Sequence, residues 1–225
     1  MVKLEYIDGN YDAIVFLNTS LLEIELLKNI FNVPILAADG AGNTLLKNGV
    51  VPDFIIGDLD SFNSDSILNY GYPKEKLIKI EGQDSNDFEK TLKFSIANGY
   101  SNILIIGIHG GDYEHSLNNW SVFSKYSNQL NLTILENNRY GFCMNSSFEM
   151  KTDIDEIISL IPVSKSKLIT TNLEWNLNNE ELELGVREGA RNKSVNTFIK
   201  IEIIFGEIFV FCNSRFPKIR IIKNN

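Results

Sequence analysis

Four aspartates fall where a chain of this pattern would gather charge. Asp39 follows the apolar run Ile35-Leu36-Ala37-Ala38, and Asp58 and Asp60 follow Phe54-Ile55-Ile56-Gly57. Asp87 closes Gln83-Asp84-Ser85-Asn86-Asp87, at the start of a segment with helical spacing. If the apolar runs are strands, the first three aspartates lie at strand carboxyl ends, where open parallel sheets bind their ligands. Residues two apart on a strand point to one side, which places Asp58 and Asp60 together. Carboxylates held this close repel one another unless a positive charge sits between them. Hard oxygen donors with room for water suit Mg²⁺, which commonly bridges a few carboxylates to substrate phosphates. Asp53, after Pro52, reads instead as a turn residue.

The glycines give a second signal. Gly40 and Gly42 follow Asp39, and Gly110 and Gly111 follow the run 103–108. Both pairs let the backbone come close to a ligand, although a tight turn accounts for either pair taken alone. Neither is followed by the Gly-Lys-Ser/Thr of a phosphate-binding loop, and neither has dinucleotide-fingerprint spacing, which argues against a Rossmann dehydrogenase. His109 and His115 have no cysteine at zinc-site spacing. His115, near an expected helix start, is placed to touch phosphate or to cap.

The elements that must hold these residues follow from periodicity. Up to about residue 135 the apolar runs 13–17, 33–38, 54–56, 77–80, 103–108 and 132–135 are continuous rather than alternating, as in strands buried on both faces. Helical patterns lie between them. One is capped by Ser20 and runs through residue 31. Another starts at Asp84 or Ser85, with Phe88, Leu92 and Ile96 on one face and Gly99 closing it. A third follows Glu114, with Leu117, Trp120 and Phe123 expected on its inner side. Beyond residue 138 the segments 148–151, 157–163, 168–171, 181–184, 198–205 and 207–212 are short, β-branched or aromatic, and several alternate in polarity. Gly206 reads as a tight turn between the last two. The expected fold is α/β: an N-terminal doubly wound, mainly parallel, Rossmann-like sheet over 1–137, then a smaller all-β sandwich domain over 138–225.

Bulk properties narrow the partners. The chain has 225 residues, 44% hydrophobic and 22% charged, with a net charge of −8. That acidity predicts no nucleic acid partner. No apolar run reaches the roughly 18 residues of a membrane span, so no membrane partner is expected. Two distant cysteines, Cys143 and Cys212, and charged residues in the first ten positions predict a cytoplasmic protein without a signal peptide.

Taken together, these motifs resemble a known family. Asp39-Gly40-Ala41-Gly42-Asn43, Pro52-Asp53 and Ile56-Gly57-Asp58-Leu59-Asp60-Ser61 are similar to adjoining signatures of thiamine pyrophosphokinases. Gln83-Asp84-Ser85-Asn86-Asp87 with Lys90 resembles that family's Gln-Asp-x-Thr-Asp-x-x-Lys, and Gly110-Gly111-Asp112-Tyr113-Glu114-His115 with Asn119 its Gly-Gly-Arg-x-Asp-His…Asn. Further on, 158–162, 172–177 and Gly189-Ala190-Arg191-Asn192 look like its β-domain motifs. The resemblance implies transfer of pyrophosphate from ATP to thiamine with Mg²⁺, giving thiamine diphosphate and AMP. It also implies a homodimer whose active sites lie between the α/β domain of one subunit and the β domain of the other.

By the same match Asp58, Asp60 and Asp87 would hold the metal, with Asp39 beside it. Gly40, Asn43, Gly110, Gly111, His115 and Asn119 would line the ATP site. Gln83, Trp175, Arg191 and Asn192 would line the thiamine site, with Trp175 stacked on its rings. Two positions depart from the pattern: the family arginine after the glycine pair is Asp112, and a family serine is Arg191 unless the register places Ser194 there. Arg191 is then positioned to pair with Asp112 or to reach the phosphates. The departures leave two other readings open, a pyrophosphokinase for another hydroxymethyl compound such as a pterin, and a binding protein without turnover.

Overall fold

A computed structural model describes residues 1–17, 33–63, 69–109 and 111–224 of the chain. The expected helix of residues 20–31, and Gly110, lie outside these residues. The chain divides into two units, one of Asn10–Asn137 and one of Met1–Gly9 with Asn138–Asn225. A single cut at residue 138 therefore needs a correction, because the first strand, β1 (Val2–Ile7), belongs to the second unit. Alternation of Val2, Leu4 and Tyr6 with Lys3 and Glu5 marks a strand but carries no information on which sheet it joins.

In the unit of Asn10–Asn137 the continuous apolar runs become β2 (Ala13–Phe16), β3 (Ile35–Ala38), β4 (Phe54–Gly57), β5 (Leu77–Lys79), β6 (Asn102–Ile106) and β7 (Asn131–Glu136). They lie in the order β7-β6-β2-β3-β4-β5, and every neighbouring pair is parallel. The chain winds outward from β2 through β3, β4 and β5, then returns to place β6 on the other side of β2. The carboxyl ends around β2 are thus the switch point at which such sheets bind ligands.

Three α-helices of this unit lie wholly among the described residues: α1 (Ala41–Lys47), α2 (Asp87–Ala97) and α3 (Tyr113–Tyr126). The glycines after Asp39 form the start of α1 rather than a loop. Gly42 is there because a Cβ would sit 2.6 Å from Cδ1 of the fully buried Ile55. Helix α2 begins later than the sequence suggests: Asn86, not Asp84 or Ser85, is the N-cap, accepting the Glu89 N–H at 2.9 Å. Phe88 and Leu92 are buried, each worth about 1.5–3 kcal/mol, but Ile96 is 41% exposed. On α3 the inner residues are Val122, Phe123 and Tyr126, whereas Leu117 is 71% exposed. Glu89 joins the two helices by accepting from Lys125 at 2.8 Å and from Tyr126 at 2.9 Å.

The other unit carries two groups of strands. One is ordered β12-β11-β14-β9-β1-β16, from β9 (Phe148–Lys151), β11 (Ser166–Thr171), β12 (Asn178–Leu182), β14 (Phe198–Phe205) and β16 (Ile219–Asn224) with β1. The second runs β13-β10-β15-β8, from β8 (Arg139–Met144), β10 (Ile157–Pro162), β13 (Gly189–Lys193) and β15 (Ile208–Asn213). Pairing within each group is antiparallel except between β1 and β9, which run parallel. Gly206, at φ +91°, makes the expected turn between β14 and β15. No helix among the described residues is long and apolar enough to cross a membrane.

Candidate active site

Carboxylate oxygens of Asp39, Asp58 and Asp87 lie within 4.8 Å of one another at the carboxyl ends of β3 and β4. Asp39 and Asp58 leave their strands there, and Asp87 is the first residue of α2. One turn further along α2, the buried Lys90 places Nζ 3.0 Å from Asp58 Oδ2 and 3.0 Å from Asp87 Oδ1. Its hydrogen bond is the main reason that the Asp58 carboxyl is held below its ordinary range. Burial disfavours the Lys90 ammonium, but Asp87 and Asp58 outweigh that and raise its pKa.

Asp39 is different. It is 3% exposed, and burial, followed by the charges of Asp87 and Asp60, raises its pKa against the opposing Ser61 N–H. That N–H reaches Oδ2 at 3.1 Å, while Oδ1 is buried without a hydrogen-bond partner. An orphaned carboxylate oxygen in such a place costs free energy on the order of 1–3 kcal/mol. A hard divalent cation such as Mg²⁺ fits this donor set, since it would satisfy the orphan and offset the mutual repulsion.

The carboxylates that meet within 4.8 Å are Asp39, Asp58 and Asp87, and Asp60 lies beside them on the cleft wall. Asp58 and Asp60 both line the cleft, but they do so from a turn rather than a strand, because β4 ends at Gly57 and Leu59 has a φ of +65°. A left-handed residue breaks the alternation that a strand would impose. Asp60 is exposed, its N–H turned to Asp58 Oδ1 at 3.3 Å and its Oδ1 accepting the Ser61 hydroxyl at 3.0 Å. Gly57 has a role that its motif did not reveal. A Cβ there would lie 2.8 Å from Asp39 Cβ and 3.0 Å from Asp87 Oδ1, so only glycine lets the carboxylates approach.

Asp58, Asp60, Asp87 and Lys90 line a cleft of about 600 Å³ together with Gln83, Gly111, Asp112, His115 and Asn119. Asn119 belongs to a chain of amides. Its Nδ2 donates to the Ile108 carbonyl at 3.2 Å, and its Oδ1 accepts from Asn86 Nδ2 at 3.1 Å. Asn43 is likewise engaged by protein, donating to the Ser61 carbonyl at 2.8 Å and accepting the Asn63 N–H at 3.0 Å. Gly40, the N-cap of α1, would put a Cβ 3.3 Å from Ser61 Cβ. Asp53 accepts the Ile35 N–H at 2.8 Å, in keeping with a turn role. Gly110 lies outside the described residues. Lys90 was legible in the sequence as i+3 from Asp87, but its burial between two carboxylates was not.

Trp175, Arg191 and Asn192 belong to the other unit. Trp175 is 60% exposed in the turn after β11. Arg191 is exposed on β13 with φ +57°, and Asn192 is buried beside the Trp175 backbone.

The match to known proteins covers both units. The model of the thiamin pyrophosphokinase catalytic domain matches residues 30–134, and that of the thiamin pyrophosphokinase vitamin B1 binding domain matches residues 146–203. The chain belongs to the thiamin pyrophosphokinase family. Thiamine pyrophosphokinase 1 of Oryza sativa subsp. japonica is 26% identical over 148 residues, 60% of this chain and 56% of that protein. Thiamine pyrophosphokinase 2 of Arabidopsis thaliana is 27% identical over 176 residues, 70% of this chain and 64% of that protein. The match thus spans less than two thirds of either plant thiamine pyrophosphokinase. Its mixed α/β fold is that of the crystal structure of thiamine pyrophosphokinase from Bacillus subtilis, with a TM-score of 0.74 at 20% identity, covering 91% of this chain and 100% of that one.

Proposed function

We propose that this chain transfers pyrophosphate from ATP to the hydroxyethyl oxygen of thiamine, releasing AMP and forming thiamine diphosphate. The observation that carries the reading is the cluster of Asp39, Asp58 and Asp87 with Lys90, inside the stretch matched by the catalytic-domain model. In this reaction the thiamine oxygen bonds to the β-phosphorus, AMP leaves, and the hydroxyl proton is lost. Such transfers depend mostly on positioning and charge stabilisation. Asp39, Asp58 and Asp87 would hold Mg²⁺, which when bound offsets the polyphosphate charge. Lys90 favours the ionised form of Asp58 and keeps Asp58 and Asp87 together. The first turn of α3 starts at the cleft wall and offers backbone N–H groups to a phosphate, while Asp112 works against one there.

The acceptor follows from the second unit. Residues 146–203 match a vitamin B1 binding domain, which favours thiamine over a pterin. The exposed indole of Trp175 suits stacking on a cationic thiazolium. In this reading the parallel sheet is the doubly wound ATP- and metal-binding part, the two strand groups form a sandwich, and a cytoplasmic homodimer completes the site. AMP release from MgATP, with and without thiamine, and chromatography of the product test the activity. Asp58→Asn and Asp87→Asn should each lose roughly a thousand-fold in turnover while the protein stays folded, and Asp60→Asn far less. AMP release that ignores thiamine, or full activity in Asp58→Asn, would overturn the assignment.

A further inference from the structure

The motif match places Asn192 among thiamine contacts, but both ends of its amide are engaged by backbone. Nδ2 donates to the Trp175 carbonyl at 2.8 Å, and Oδ1 accepts the N–H groups of Trp175 at 3.2 Å and of Lys193 at 2.8 Å. We propose that Asn192 is a positioning residue that fixes the Trp175 backbone and thereby presents an exposed indole in one orientation. The proposal rests on the thiamine reading only for the ligand that the indole meets.

Three further features support it. The register of β10 against β13 shifts between Ile158 and Leu160, so an extra residue is accommodated opposite Ser159. Arg191 takes up that bulge at φ +57°, a strained conformation for a side-chain-bearing residue, and its N–H is held by Ser159 Oγ at 2.9 Å. The bulge sets Asn192 against the Trp175 turn. The turn itself is tied to the same strand: Glu174 N–H donates to the Lys193 carbonyl at 2.8 Å, Leu173 bridges Ser194, and Asn176 Oδ1 accepts the Leu173 N–H at 3.1 Å.

Asn192 is 8% exposed while Trp175 is 60% exposed. A buried amide spent on the backbone of an exposed aromatic adds little to the core. It reduces the ordering that a ligand would otherwise impose on binding.

The chain has two tryptophans, so Trp120→Phe leaves Trp175 as the sole fluorophore. In that background, and without ligand, Asn192→Ala should lower the time-resolved anisotropy of Trp175. Asn192→Asp, which keeps the acceptor but sets a carboxylate oxygen against the Trp175 carbonyl, should do the same and serves if the alanine variant folds poorly. Both should raise the thiamine KM about ten-fold with kcat within about two-fold. Adding Asn192→Ala to Trp175→Ala should raise KM no further. Unchanged anisotropy would overturn the proposal, and so would an additive double variant, which would mean that Asn192 touches the ligand itself. Lower anisotropy with a thiamine KM indifferent to Trp175→Ala would support the positioning role and count against the thiamine reading.

Discussion

Gly57 shows how a single hydrogen atom in place of a side chain can decide a site. With Asp39 Cβ 2.8 Å and Asp87 Oδ1 3.0 Å from the position of a Cβ, Gly57→Ala must push two carboxylates apart. Its affinity for Mn²⁺, read by electron paramagnetic resonance, should fall at least about ten-fold, while overpacking costs about 1–3 kcal/mol of stability. Wild-type affinity in that variant would mean that the cluster tolerates the shift. Cys212 tests a different residue-level claim. Burial pushes its thiol from an ordinary 9.0 to about 11, beside the Tyr6 hydroxyl 3.4 Å away. The folded state then keeps a proton that the unfolded chain has released, so stability should fall as pH rises from about 9 to about 11, by roughly 2 kcal/mol. Urea unfolding across that range should show the decline, and Cys212→Ala should shrink it; an equal slope in both proteins would refute the cause.

At the scale of elements, the amide chain from Ile108 through Asn119 to Asn86 couples the turn after β6 to the first turn of α2, which carries Asp87 and Lys90. The asparagine that caps α2 is also the one held by α3. Asn86→Ala should therefore cost about 1 kcal/mol for the cap. Asn119→Ala should weaken Mn²⁺ binding although Asn119 touches no carboxylate of the cluster. The two substitutions should be non-additive by about 0.5–3 kcal/mol in a thermal-melt cycle. Additive effects would show the two amides to be independent.

For the whole molecule, the telling feature is that the first strand serves the last part of the chain. β1 lies between β9 and β16, with Leu4 1% exposed. Deleting residues 1–9 would leave those two strands without their shared neighbour and uncover the Leu4 site. The C-terminal unit should then melt well below its normal temperature, while the parallel sheet of Asn10–Asn137 keeps its own transition. A single unchanged transition in the truncated protein would show that β1 contributes little. The cut into two units also separates the carboxylate cluster, in one, from Trp175, Arg191 and Asn192, in the other.

Much was written in the sequence in local terms. Continuous apolar runs such as Ile103-Leu104-Ile105-Ile106 have no polar face to expose, so they could only be strands covered on both sides. Aspartates at their ends follow from the same pattern, and so does Gly99, which ends α2 at φ +78°. Choices that depend on long-range geometry were not legible there. Alternation in β1 is satisfied equally by any sheet that buries Leu4. The left-handed turn at Leu59 that carries Asp60 along the cleft wall is a dihedral that spacing alone does not encode. Asn119, Asn43 and Asn192 carry the residue type of a ligand contact, and in the fold their amides also bond backbone or a neighbouring amide, pairings set by chain segments that sequence spacing does not bring together. Composition and periodicity set which elements form and where charge collects; tertiary packing decided which of those charges meet.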